Sequence, residues 1–172
     1  MFALIWILVG VMGRLVIHIP DVTPITSLCL LSPVVFSKKT SLIILIFILL
    51  LSDFCLHCLF HYPIFGLWTI FTYSGWLGVL CLGFLFSNNL NLSRAFYFTC
   101  IGSFVFWIWT NLGTWITTNL YSHHFHGLLQ CYIAALPFLR NSMVGSIVWT
   151  GVLTIFIFQK KYESNLKKIV DF

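Results

Sequence analysis

Long apolar runs, each closed by a short polar or proline-bearing break, organise this chain. The stretches Ser41 to Leu51 and Ala95 to Trp109 barely pause, and neither alternates with the two-residue period of a barrel strand. Within the first, Leu42-Ile43-Ile44-Leu45-Ile46-Phe47-Ile48-Leu49-Leu50 has no polar position at all. Crossing the hydrocarbon core takes about 20 mostly apolar residues, and only helices or closed barrels satisfy their backbone groups there. The pattern therefore predicts an all-α integral membrane bundle. Its breaks place six transmembrane helices at 2–17, 24–36, 41–58, 66–86, 95–118 and 138–158.

Two segments depart from a full crossing. The second span is short, is entered through Pro20 and Pro24 and carries Pro33, so a half-membrane or kinked helix packed among the others is expected. The apolar stretch from His126 to Leu136 is too short to cross and stops at Pro137. It is expected as a helical or re-entrant segment buried on one face, within the large loop before span six.

Composition agrees with the pattern. Hydrophobic residues make up 60% of the chain and charged residues 8%, whereas soluble domains keep about a quarter of their residues charged. Lipid is the solvent for most of this surface. A single transmembrane domain over 1–159 and a basic cytoplasmic tail over 160–172 follow. The first apolar run has no basic segment ahead of it and no clear small-residue cleavage site, so it reads as span one rather than a signal peptide. No internal repeat is present.

Cations orient the bundle, because Lys and Arg near span ends stay on the cytoplasmic side. Six spans with both termini inside put Lys38, Lys39, Arg94, Lys160, Lys161, Lys167 and Lys168 in the cytoplasm. Arg14 and Arg140 fall at the outer ends of spans one and six, where an arginine snorkels or serves a site. The net charge of +5 is then topological, and nothing forms a basic stripe for nucleic acid.

Polar chemistry gathers on the other side: His18 and Asp21, His61 and Tyr62, then Asn119, Tyr121, His123, His124 and His126. Interfacial loops collect amphipathic rings for their own sake, but five of six histidines on one face is a bias toward a site. Asp53 interrupts an apolar helix and, if ionised, calls for a cation from Arg14, Arg140 or His57. The plain alternative is a helix-to-helix hydrogen bond. In span five Trp107, Asn111 and Trp115 recur at four-residue spacing. An amide between two indoles is a plausible wall for a flat, partly polar ligand.

The six cysteines fall mostly inside apolar spans and read as packing residues. Cys55-Leu56-His57-Cys58 with His61, and His123-His124-Phe125-His126, contain metal-type ligands, yet neither has a recognised spacing, and no metal or cofactor is expected. There is no Walker loop, Gly-x-Ser-x-Gly elbow, His-Glu-x-x-His or paired carboxylate, hence no catalytic residues. Binding or facilitated passage is the expected class, and active pumping would need a partner.

Four motifs, in order, are Arg14-Leu15-Val16-Ile17-His18-Ile19-Pro20-Asp21-Val22-Thr23-Pro24, Leu51-Ser52-Asp53, Thr110-Asn111-Leu112-Gly113-Thr114-Trp115, and Gly127 to Phe138. Together they resemble an uncharacterised bacterial family of small multi-pass membrane proteins. That family looks like the S components of energy-coupling-factor vitamin transporters and the solitary cobalamin transporters of the BtuM type. The resemblance covers about 14 to 150 and implies a six-helix bundle in the bacterial cytoplasmic membrane, with a substrate pocket opening outward. It implies uptake of a vitamin-like small molecule and an energising ATPase module on the cytoplasmic side. Where relatives often show Pro-His-x-Pro-Asn, this chain has Ile17-His18-Ile19-Pro20-Asp21, adding a negative charge. Cobalamin is the alternative substrate, with Cys55, Cys58, Cys81 or Cys131 matching a cobalt ligand by type alone. A structural or assembly protein without a ligand is the rival class. The residues expected to converge on substrate are His18, Asp53, Trp107, Asn111, Trp115 and Tyr132.

Overall fold

A computed structural model describes residues 2–16, 21–87 and 91–170, with side chains up to Gln159 except Phe86. Among the described residues the chain is all helical: α1 Phe2–Leu15, α2 Ile25–Val35, α3 Lys38–Phe60, α4 Leu67–Phe86, α5 Leu92–Thr117, α6 Phe125–Ala134 and α7 Leu136–Val170. Each of the six expected spans is helical, and the apolar stretch before span six is the separate helix α6. Among the described residues four stretches are long and apolar enough to cross a membrane: Lys38–Phe60, Leu67–Leu85, Leu92–Thr117 and Leu136–Gln159. Helix α7 runs on without a break through most of the expected tail.

Local chemistry sets the helix ends. Ser37 caps α3 by accepting from the Thr40 amide at 3.2 Å, and His61 closes the same helix in the left-handed region at φ 58°. Asn91 accepts from the Ser93 amide at 3.1 Å to start α5. Pro137 falls in the first turn of α7, where its missing N–H has no partner to lose.

The shortest span has the most central place. At 11 residues α2 is about 16 Å long, half the hydrocarbon thickness. Ile25 through Ser32 are all buried, and the helix packs on α4, α7, α5, α3 and α1. A helix apolar all round is stable only when surrounded. Polar positions on it are answered by neighbours: the Ser27 hydroxyl donates to Ser146 O at 2.8 Å, and the Thr150 hydroxyl donates to Ser27 Oγ at 2.9 Å. Thr99 and Thr150 hydroxyls lie 2.8 Å apart. These bonds tie α2, α5 and α7 in a medium that offers no competing water. Facing outward is a band of exposed apolar side chains, among them Leu8, Phe47, Phe54, Ile70 and Val148, as a lipid-facing surface requires.

Candidate ligand-binding pocket

A cavity of about 360 Å³ opens where the C-terminal half of α5, helix α6, the start of α7 and the α1–α2 connection meet. Helix α5 supplies Phe106, Trp107, Thr110, Asn111 and Thr114; Asp21, Leu120 and Tyr121 come from loops. Cys131, Ala134 and Ala135 belong to the end of α6, and Phe138 and Ser142 to α7.

Two of the expected site residues line this cavity, Trp107 and Asn111. The indole N–H of Trp107 donates to Ala135 O at 2.9 Å. Asn111 turns its NH₂ group back onto Trp107 O, 2.8 Å away on the same helix. Only the nitrogen end of the amide can face a carbonyl, which assigns Oδ1 as the other end. Among the described residues Oδ1 has no hydrogen-bond partner. The amide therefore ties no second helix to α5, although its backbone carbonyl receives the Cys131 thiol at 3.5 Å.

Tyr132 stands behind the wall. Its ring meets Trp107 edge-on with centroids 5.1 Å apart, and its hydroxyl donates to Ile108 O at 2.9 Å. It positions Trp107 rather than facing the cavity. Burial raises the Cys131 thiol and the Tyr132 hydroxyl above their ordinary ranges, so both stay protonated and neutral near neutral pH.

Trp115 lies elsewhere. Its indole N–H donates to Ser122 O at 3.0 Å and its ring meets His123 edge-on at 5.6 Å, pinning the loop after α5. The helical period explains the divergence: eight residues turn the chain about 80° past its starting direction, whereas Thr114 lies within about 20° of Trp107. The stripe that faces the cavity is Trp107, Thr110, Asn111 and Thr114, with seven-residue rather than eight-residue closure. Spacings of three, four and seven were readable from the sequence; Asp21 and Tyr121 stood out only as members of the polar outer loops, and Ser142 carries no comparable signal.

Asp53 is also apart from the pocket, in a network joining three helices. Arg14 Nη1 lies 2.6 Å from Asp53 Oδ1 and donates to Ser52 Oγ at 2.6 Å. The Tyr73 hydroxyl donates to Asp53 Oδ2 at 2.7 Å. Of the three candidate cations Arg14 is the partner; His57 Nδ1 lies 2.8 Å from Tyr62 O instead. His18 lies outside the described residues. Among the described residues no three His, Cys, Asp or Glu side chains gather as a metal site, and all six cysteines are free thiols.

Fold and cavity together define the class: among the described residues, an all-helical bundle with four helices fit to span a membrane and a pocket at the end where α5 finishes and α7 begins. The chain belongs to a family of unknown function, DUF6580, whose family model matches residues 1–166. No curated protein and no solved structure matches it.

Proposed function

We propose that this protein is a membrane-embedded binding or uptake component for a vitamin-like small molecule, resembling transporter S components. In this reading it has six spans, both termini cytoplasmic and the α5–α6–α7 pocket facing outward. The observation that carries it is Asn111: an amide in an apolar helix, lining a cavity, with its carbonyl oxygen unbonded among the described residues. A polar atom in such a setting is costly unless something answers it. Orientation is supported by Lys38, Lys39 and Arg94 at the opposite end. Arg14, the apparent exception to that rule, is neutralised by Asp53. Energy would come from an ATPase module docked on the cytoplasmic side.

Cavity size bears on the substrate. Small-molecule pockets run from about 300 to about 1,000 Å³, and one of about 360 Å³ suits one or two fused rings. A corrin with its axial nucleotide is several times larger, which weighs against cobalamin. In the rival reading, a structural protein without a ligand, Asp53 has the expected helix-joining task but Asn111 does not. Mass spectrometry of small molecules released from the purified protein tests the proposal. A compound retained by the native chain and lost from Asn111→Leu is expected; identical, ligand-free preparations of both would overturn it.

A further inference from the structure

A second cavity, of about 400 Å³, opens between the ends of α1 and α3 and the start of α4, and shares no lining residue with the first. Arg14, Asp53, Leu56, Tyr62, Pro63 and Trp68 line it. Arg14 comes to this cavity with donors to spare. Its Nη1 is spent on Asp53 Oδ1 and Ser52 Oγ, each 2.6 Å away, while Nη2 and Nε bond to no described residue. The carboxylate is the more buried partner, and each of its oxygens already accepts a bond, one from Arg14 and one from Tyr73. The pair thus presents N–H groups, and the Trp68 indole N–H beside it meets no acceptor among the described residues.

The surroundings indicate the kind of molecule that would use these donors. Phe60, Phe65, Leu67 and Ile70 next to the cavity are exposed apolar side chains, so in a bilayer its mouth borders on lipid. Tyr62 and Trp68 are residue types that settle at headgroup level, which is where the proposed topology puts the outer ends of α1 and α3. A guanidinium is a planar fork of N–H groups matched to phosphate oxygens. We propose that this cavity holds the phosphodiester of a bilayer phospholipid, received by Nη2 and Nε of Arg14. Because Asp53 already balances Arg14, a zwitterionic headgroup, whose ammonium balances its own phosphate, leaves the site neutral. The assignment stands apart from whatever the first cavity binds.

Native mass spectrometry of the full-length protein in detergent tests this, with dioleoyl phosphatidylethanolamine, dioleoylglycerol and inorganic phosphate as probes. One phosphatidylethanolamine per chain is expected to bind at least about tenfold tighter than dioleoylglycerol, which has the same acyl chains and no phosphate. Inorganic phosphate should not displace it. The double variant Arg14→Met/Asp53→Leu removes the guanidinium without leaving a lone buried charge, and it should lose the preference for the phosphate-bearing lipid. Equal binding of the two lipids by the native chain, or an undiminished preference in the folded double variant, would overturn the headgroup site. Displacement by inorganic phosphate would overturn lipid as the source of the phosphate. The comparison of the two lipids in the native chain decides the matter even if the variant folds poorly.

Discussion

Arg14 on α1 and Asp53 on α3 form an ion pair 2.6 Å long, and Tyr73 on α4 completes it by donating to the second carboxylate oxygen at 2.7 Å. Asp53 is only 7% exposed and Arg14 18%. Charges this far from water are tolerated as a pair and costly singly. Removing one partner of a buried pair typically destabilises by about 3–5 kcal/mol, while replacing both with apolar groups is often near neutral. Arg14→Met and Asp53→Leu should each lower the thermal midpoint in detergent, and the double variant should recover most of the loss. Strict additivity of the two single effects would show that the pair does not act as a unit.

Asn111→Leu keeps volume and removes the amide. Its side-chain bond returns to its own helix, so the ligand-free midpoint should hardly move. Affinity for a bound ring should fall by about 1–3 kcal/mol, the cost of an unpaired buried polar group. A lower midpoint with unchanged affinity would transfer Asn111 to a structural role.

Glycines on α4 give a paired test of helix approach. A Cβ at Gly83 would come within 2.8 Å of Leu30 O and 3.0 Å of Cys29 O, whereas at Gly78 nothing lies within 4 Å. The backbone of α2 cannot step aside, because it is enclosed on all sides. Gly83→Ala should destabilise by about 1–3 kcal/mol, while Gly78→Ala should be neutral or stabilising through the helix preference of alanine. Equal responses in chemical denaturation would contradict the close packing of α2 on α4.

Burial raises the Cys131 thiol, which couples the α6 end of the pocket to pH. The folded value lies above the unfolded one, about 8.5. The stabilisation is therefore complete below that pH and is lost as pH rises through the folded value. Between about pH 8 and about pH 10 the midpoint should fall less steeply in Cys131→Ala than in the native chain. Parallel pH curves for the two would remove Cys131 as a contributor.

Orientation is open to direct labelling. In a cysteine-free background, single cysteines at His61 and Ser122 should react with an impermeant maleimide added outside cells, and one at Thr40 should not. Reaction at Thr40 from outside would invert the topology.

The hydrophobic pattern alone determined that the chain is an all-helical bundle, where its long helices run and that a short helical or re-entrant segment precedes the last of them; the structure made that segment the separate helix α6. Each of those is a one-dimensional property: an unbroken apolar run in lipid has few alternatives to a helix. Sequence also singled out α2, through its prolines and shortness, and Asp53 and Asn111, through the cost of a polar group in an apolar run. It could not say which neighbour answers each one. Asp53 had three candidate cations, and the packing of α1 against α3 selected Arg14. Trp107, Asn111 and Trp115 read as one face at four-residue spacing, but the 3.6-residue turn carries Trp115 to the loop and brings Thr110 and Thr114 to the cavity. Only the tertiary structure brought Asp21, Cys131 and Ser142 to the same cavity, because contacts between residues a hundred positions apart depend on how whole helices pack.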